Sequence, residues 1–324
     1  MQLISIANSV LHIYESLLSQ EELPDFYETN LDAITQVCTF LLDTDFPQVQ
    51  TPAQFERFYR ARAKVVRLVH IYMFKFNDFF QEKQDAFFQK IWEQIANNKV
   101  TPTRQCERLI FAIVKYLGEV AGVAKYQDFI RTNLETLFNV VVVPNISLTA
   151  QDKDEYEDEP AQYIKNDLEE SDAETRRRHC MKFVQSLAAK FESEVGTLIG
   201  QLISQMSAGF SDQATNWEQM VTTINLILTA SITTYTYQHG ATNVRADQAM
   251  LDSYLQQLVL PVLQVEAAKV DELPMLKATA IKFVYMFRNQ LRDDHVAAFV
   301  ELFTLYLKSE QPVNQAYASA SIEK

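Results

Sequence analysis

The side chains of this sequence that could carry chemistry are its acids, five histidines and three cysteines. Their spacing matches none of the common catalytic, nucleotide-binding or metal-binding motifs, such as GxGxxG, GxxxxGK[ST], HExxH or GxSxG. His179 and Cys180 are adjacent, but neighbouring residues on a helix point about 100° apart, which favours a packed cysteine over a base and nucleophile pair. We therefore predict a protein without catalysis, metal, cofactor or small-molecule substrate.

The strongest local feature is an acidic run from Asp152 to Asp172, which holds ten acidic and two basic residues. A basic run, Arg176 to Arg178, follows it directly. The acids lack the alternating order and closing glutamate of a calcium loop, so a cation site is not indicated. Two interpretations stay open: a solvated loop, or a functional segment that contacts a basic partner or forms a hinge.

The elements that position these residues are predicted to be helices. Only 6 of the 324 residues are glycine, which disfavours the phosphate loops and tight hairpin turns of α/β and all-β folds. Apolar residues recur at helical spacing, for example Leu3, Ala7, Val10 and Tyr14. Thr51-Pro52 and Thr101-Pro102 each place a capping hydroxyl before a proline suited to a first helical turn. We expect an all-α protein.

The predicted helices fall into pairs, which indicates an α-α superhelix of HEAT-repeat type with about six pairs and a partial repeat. The pairs cover roughly 1–19 with 24–44, 52–77 with 79–97, 102–121 with 126–143, 173–191 with 193–210, 216–237 with 246–267, and 274–290 with 293–309. We treat residues 1–324 as a single array. Apolar stripes reach both ends of the sequence, so we expect a section of a longer solenoid.

One repeat is about 20 residues too long, and residues 144–172 form the predicted acidic insertion. Like-charge repulsion and Pro160 oppose a helix across residues 151–160, so we expect an exposed loop there. The following sequence YIKNDLEE, residues 163–170, is compatible with a short helix.

Overall charge and composition exclude several partners. The formal net charge is −13, the wrong sign for a surface that neutralises nucleic acid or anionic membranes. Three scattered cysteines indicate a reducing compartment, and no secretory signal or membrane-spanning run is evident. We expect a soluble protein of the cytosol or nucleus.

Several blocks of the sequence resemble one family in the same order along the chain. They are LPDFYETN at 23–30, VVVPN at 141–145, YIKNDLEESDAETRRR at 163–178 and LPMLKATAIKFVYMFRNQL at 273–291. The chain resembles the middle third of the importin-α re-exporters, HEAT-repeat transport receptors of the importin-β superfamily. The resemblance implies binding of importin α and GTP-bound Ran, shuttling between nucleus and cytoplasm, and further contacts to nuclear pore proteins.

The same resemblance implies that the long insertion touches Ran and acts as a hinge. The residues expected to contribute are Asp154, Glu155, Glu157, Asp158, Glu159, Tyr163, Asp167, Glu169, Asp172, Arg176, Arg177 and Arg178. For the three arginines two roles stay open: pairing with Asp172 and Glu174 at the helix start, or contact with Ran or an adjacent repeat. The alternative function is a constitutive HEAT-repeat scaffold that assembles a protein complex without Ran.

Overall fold

Helices carry nearly all of the regular structure, as the low glycine content predicts. The computed structural model describes residues 2–22, 25–45, 49–97, 100, 102–169, 174–208, 210 and 212–324. It divides the chain into two compact units, Met1–Pro144 and Asn145–Lys324, called unit 1 and unit 2 below.

The helices that begin in unit 1 follow the predicted pairs closely. They are α1 (Gln2–Leu18), α2 (Asp25–Thr29), α3 (Leu31–Asp43), α4 (Pro52–Lys75), α5 (Asn77–Phe80), α6 (Gln84–Ala96), α7 (Glu107–Val120), α8 (Ala124–Thr132), α9 (Leu134–Leu137) and α10 (Val143–Ile146). A 3-10 turn, Gln81–Lys83, precedes α6, and a π-helical turn, Phe138–Val142, follows α9.

Unit 1 consists of two layers of helices. In the A-layer, α1, α4 and α7 lie side by side, with α4 in contact with both neighbours. In the B-layer, α3 packs on α6, and α6 packs on α8 through the stacked rings of Phe88 and Tyr126, whose centroids are 4.4 Å apart. Because α4 has neighbours on both sides, it buries apolar residues around much of its circumference. This arrangement is that of stacked helical pairs.

Helix starts in unit 1 test the capping predictions. Thr51 accepts a hydrogen bond from the Gln54 amide, and the Gln54 side chain accepts one from the Thr51 amide, with Pro52 in the first turn. The predicted start at Thr51-Pro52 is confirmed. Thr101 lies outside the described residues, and α7 begins only at Glu107, after turns at residues 102–106.

Unit 2 contains the remaining elements. They are α11 (Ala150–Asp158), α12 (Pro160–Ile164), α13 (Arg176–Ala188), α14 (Glu192–Ser207), α15 (Gln213–Ser231), β1 (Ile232–Thr236), β2 (Gly240–Val244), α16 (Gln248–Tyr254), α17 (Leu260–Leu263), α18 (Pro274–Phe287), α19 (Asp293–Tyr306) and α20 (Pro312–Glu323). Further π or 3-10 turns are Lys165–Glu169, Leu255–Val259, Ala267–Lys269 and Arg288–Gln290.

Two long helices form the centre of unit 2. Helix α15 packs against α13, α14 and α18, and α18 packs in turn against α17 and α20. Helix α18 is buried from Met275 to Ile281 and again from Phe283 to Phe287. Lys282, between these two stretches, is therefore a charged residue in a helix that is otherwise almost wholly enclosed.

The antiparallel hairpin of β1 and β2 corrects the prediction of an uninterrupted helix over residues 216–237. Gly240 adopts φ +64°, a conformation that favours glycine. A Cβ atom there would lie 2.5 Å from the carbonyl oxygen of Met286 and 2.6 Å from Nη1 of Arg288. The hairpin is held on the end of α18 because Tyr285 donates a hydrogen bond to the carbonyl of Tyr237. One glycine is thus enough for a hairpin in a glycine-poor chain.

Two of the π-helical turns have a shared local cause. Each lies just before a proline, Pro144 after Phe138–Val142 and Pro261 after Leu255–Val259. A proline ring clashes with the carbonyl four residues earlier and has no N–H to donate to it. The widened turn accommodates the ring, so the helix continues instead of ending.

A candidate protein-binding segment

The acidic run begins with a helix, so the expectation of an exposed loop over residues 151–160 is wrong. Thr149 accepts a hydrogen bond from the Asp152 amide, and its own amide donates to the Asp152 carboxylate at 2.7 Å, which forms a capping box. Pro160 does not interrupt α11 but occupies the first turn of α12. Of the predicted short helix at residues 163–170, residues 163–169 are helical, as the end of α12 and the π-helical turn Lys165–Glu169, and residue 170 lies outside the described residues.

Contacts with the rest of unit 2 offset the repulsion between the acids of α11. Tyr156 is buried and its hydroxyl donates to Oδ1 of Asn314 in α20 at 3.2 Å. Lys153 pairs with Glu218 of α15 at 2.7 Å, and its ammonium lies 5.4 Å from the Trp217 ring centroid. Helix α11 is thus stabilised by contacts with α15 and α20, which lie far from it in the sequence.

Asp152 forms the first half of a buried ionic network. Its carboxylate contacts Nη2 of Arg176 at 2.7 Å and Nη2 of Arg177 at 3.4 Å. Burial alone would raise the pKa of Asp152, but the charges of Arg177 and Arg176 and the hydrogen bonds from Thr149 outweigh burial and lower it. The carboxylate therefore stays ionised while it holds the start of α13 against α11.

Asp167 forms the second half of the network. It accepts hydrogen bonds from Nζ of Lys282 and from the hydroxyl of Tyr317, both at 2.7 Å, and lies 3.4 Å from Nη1 of Arg177. The side chains of Asp167, Lys282 and Arg177 are only 11%, 14% and 19% exposed. Burial opposes ionisation of Asp167, but the charges of Lys282 and Arg177 lower its pKa overall. The network ties the segment after α12 to α13, α18 and α20.

The two tyrosines of this segment lie inside unit 2. Tyr156 and Tyr163 pack edge to face with ring centroids 5.3 Å apart, and each is about 5% exposed or less. Burial raises the pKa of both phenols. Tyr163 therefore packs in the interior of unit 2 and does not lie on the surface of the segment.

Exposed acids cover the opposite side of the segment. Asp154, Glu157, Asp158 and Glu159 are exposed, whereas Glu155 is half-buried and accepts a hydrogen bond from Gln151 at 2.9 Å. These five residues form what we call the acidic rim. A rim of carboxylates on a helix that is fixed from below can present negative charge to a basic protein surface without ordering the helix on binding.

The other residues expected at this site take different positions. Arg176 and Arg177 pair with Asp152 and Asp167, not with Glu174, whose carboxylate contacts His179 instead. The Arg178 amide donates to the Thr175 hydroxyl that caps α13. Asp172 and the side chain of Glu169 lie outside the described residues.

Sequence reasoning missed Lys282, Asn314 and Tyr317. They lie 115 to 158 residues from their partners, and no local pattern links them to the acidic run. The one available signal was Lys282 itself, a single charge in the apolar stretch ATAIKFVYMF.

The described residues offer neither a metal site nor a membrane span. They contain no group of three or more His, Cys, Asp or Glu side chains arranged to hold a metal ion. None of their helices combines the length and apolar character that a membrane span requires. The three cysteines are buried.

Comparisons with known proteins place the chain in a family. A family model described as Cse1 matches residues 1–322. Exportin-2 of Drosophila melanogaster is 28% identical over 313 residues, and exportin-2 of Homo sapiens is 28% identical over 314 residues. Each alignment covers 95% of this chain and 32% of the relative, so the chain spans about a third of the length of these relatives.

A solved structure, described as the exportin Cse1 in its cargo-free, cytoplasmic state, matches this fold with a TM-score of 0.88. The match covers 99% of this chain and 35% of that chain at 22% sequence identity, and it confirms the predicted all-α helical-repeat fold class. Because the family model extends over nearly every residue, this chain belongs to the Cse1 family.

Proposed function

We propose that this chain forms part of a nuclear export receptor, which carries importin α out of the nucleus together with GTP-bound Ran. It would act through protein contacts and without catalysis, and shuttle between nucleus and cytoplasm. Membership of the Cse1 family and the exportin-2 relatives support this proposal. Contacts to nuclear pore proteins would accompany transport.

The observation that carries the Ran assignment is the acidic rim of Asp154, Glu155, Glu157, Asp158 and Glu159. Four of these five carboxylates are exposed, and the helix beneath them is fixed by buried contacts. Such a surface suits a basic patch on a folded partner. It would contribute to association rate and specificity more than to affinity, and its effect would weaken with salt.

The buried members of the predicted site would act by holding the rim in place. Tyr163, Asp167, Arg176 and Arg177 lie within unit 2 and would position the segment without touching Ran. Asp167 links the segment to Lys282 of α18 and Tyr317 of α20, which lie 115 and 150 residues further along the chain. A hinge motion that separates α12 from α20 must break this link, so the network would set the free energy of hinge opening.

The test is titration of the chain with Ran loaded with GTP or GDP, at low and physiological salt, by calorimetry. The rim variant carries Asp154→Asn, Glu157→Gln, Asp158→Asn and Glu159→Gln. The matched control replaces four exposed acids elsewhere in unit 2 by glutamine: Glu192, Glu266, Glu301 and Glu310. Both variants lose four negative charges, so they separate a local contact from the effect of net charge.

We expect binding to the GTP form alone, about tenfold weaker in the rim variant and nearly unchanged in the control. Equal weakening in both variants would show that the acidic rim does not contact Ran and that only the net charge matters. Equal binding of both nucleotide forms, or binding of neither, would show that this chain does not recognise the GTP-bound state of Ran. That result would favour the constitutive scaffold.

A further inference from the structure

The outward face of the A-layer of unit 1 carries a stripe of cations. Four of these cations lie on α4 at spacings of three and four residues: Arg57, Arg60, Lys64 and Arg67. Arg108 and Lys115 lie exposed on the adjacent helix α7. This spacing places the α4 cations on one side of that helix.

Two of these six cations have an acidic partner among the residues that the structure describes. Arg60 pairs with Glu56 at 2.6 Å, and Arg67 pairs with Glu15 of α1. Within the described ranges, no carboxylate lies at ion-pair distance from Arg57, Lys64, Arg108 or Lys115. These four unpaired residues are called the basic stripe below.

The B-layer of the same unit is organised differently. Its lysines each pair with an aspartate of the neighbouring helix: Lys83 with Asp32 at 2.5 Å, Lys90 with Asp43 at 2.6 Å, and Lys125 with Asp85 at 2.6 Å. The B-layer therefore neutralises these three lysines between helices, whereas four of the A-layer cations have no carboxylate partner among the described residues and are available for an external anion.

Lys64 shows that the cations of α4 and α7 act on one another. It is half-buried, and its ammonium donates to the carbonyl of Asn8. Burial lowers the pKa of Lys64; Glu15 opposes this shift, and the charges of Arg67, Arg60 and Arg108 add to it. An anion bound between α4 and α7 would relieve this repulsion.

The charge of the chain favours a short acidic peptide over a longer polyanion. Residues 145–324 contain 15 Lys and Arg against 25 Asp and Glu, and the whole chain carries −13, which repels extended nucleic acid at long range. On α4 the basic stripe runs from Arg57 to Lys64, about 10 Å, the length of about three extended residues. Phe74, 38% exposed, lies ten residues after Lys64 on α4 and offers an apolar contact beyond the stripe.

We propose that the basic stripe of unit 1 is a docking surface for a short Asp- and Glu-rich segment of a protein partner. The surface is distinct from the acidic rim and does not depend on the proposed Ran contact. Carboxylates of the peptide would pair with Arg57, Lys64 and Arg108, and an adjoining apolar side chain would pack on Phe74.

The test uses the full chain and a fluorescein-labelled decapeptide of alternating Asp and Glu that ends in Leu, with binding followed by anisotropy at 50 and 150 mM salt. The stripe variant is Arg57→Gln, Lys64→Gln and Arg108→Gln. The matched control is Lys83→Gln, Lys90→Gln and Lys125→Gln, which removes the same charge from the B-layer. Circular dichroism checks that both variants stay folded.

We expect binding at least about tenfold weaker in the stripe variant and less than about twofold weaker in the control. Absence of binding, or equal losses in the two variants, would overturn the proposal. A single-stranded DNA decamer that binds more tightly than the peptide, and loses affinity in the stripe variant, would overturn the choice of a protein partner.

Discussion

Removing the charge of Asp167 is the most direct test of the buried network. Asp167→Asn preserves the size of the side chain and an oxygen for the Tyr317 hydroxyl, but leaves Lys282 and Arg177 without their shared counter-ion. Breaking a buried ion pair by removing one partner costs about 3–5 kcal/mol. Because Arg177 keeps Asp152 and the asparagine still accepts hydrogen bonds, we expect a loss of about 3 kcal/mol from the free energy of unfolding of unit 2.

The assay is urea unfolding followed by tryptophan fluorescence. The chain has two tryptophans, Trp92 in unit 1 and Trp217 in unit 2, so a Trp92→Phe background makes the signal report on unit 2. Asp158→Asn is the matched control, because Asp158 is exposed on the same segment. The control should change the free energy by no more than about 0.5 kcal/mol.

Two results would refute this reasoning. The first is an Asp167→Asn variant as stable as the Asp158→Asn control. The second is additivity with Lys282→Met, because directly paired residues should show a coupling of about 0.5–3 kcal/mol in a double-mutant cycle.

Acid unfolding supplies an independent readout of the same carboxylates. The pKa values of Asp152 and Asp167 are lowered in the folded chain, so their stabilisation is present above the unfolded value of about 3.9. It should be lost as the pH falls through the folded values. The free energy of unfolding of unit 2 should therefore fall steeply below about pH 4, and Asp167→Asn should flatten that fall. An unchanged acid profile in the variant would assign the pH dependence to other groups.

Further predictions concern the hairpin, the insertion and the cysteines. Gly240→Ala should destabilise unit 2 by about 2–4 kcal/mol in urea, because the new Cβ meets the Met286 carbonyl at positive φ; a loss below 1 kcal/mol would contradict this. Tyr156→Phe should cost about 1–2 kcal/mol in the same assay, because Asn314 loses a buried donor. Burial raises the pKa of Cys180 to about 12, so iodoacetamide at pH 8 should label it only after unfolding, as followed by mass spectrometry.

Local chemistry accounts for what the sequence predicted correctly. Apolar residues at helical spacing and the scarcity of glycine predict helices in pairs, because these features act within one or two turns. The cap at Thr51 is equally local, since its partner Gln54 is three residues away. The family resemblance depended on collinear blocks of sequence and not on physical reasoning, and the Cse1 match confirms it.

The acidic segment shows where local reasoning fails. Repulsion between neighbouring acids destabilises a helix by a few tenths of a kcal/mol per pair. Taken alone, this repulsion predicts a loop, but its cost is small. Burial of Tyr156 and the pairing of Asp152 with Arg176 outweigh that cost and are visible only once α11 lies against α13 and α20. The helix is therefore a product of tertiary packing.

By itself, the sequence determined the helical class, most helix positions and the location of the charged segment, because these follow from residue type and short-range spacing. Only the tertiary structure decided which acids are buried and which are exposed. Asp167 meets Lys282 and Tyr317 across more than 100 residues, whereas Asp154 and Glu157, in the same run, face solvent. Burial depends on which distant helices pack nearby, and that information is absent from local spacing.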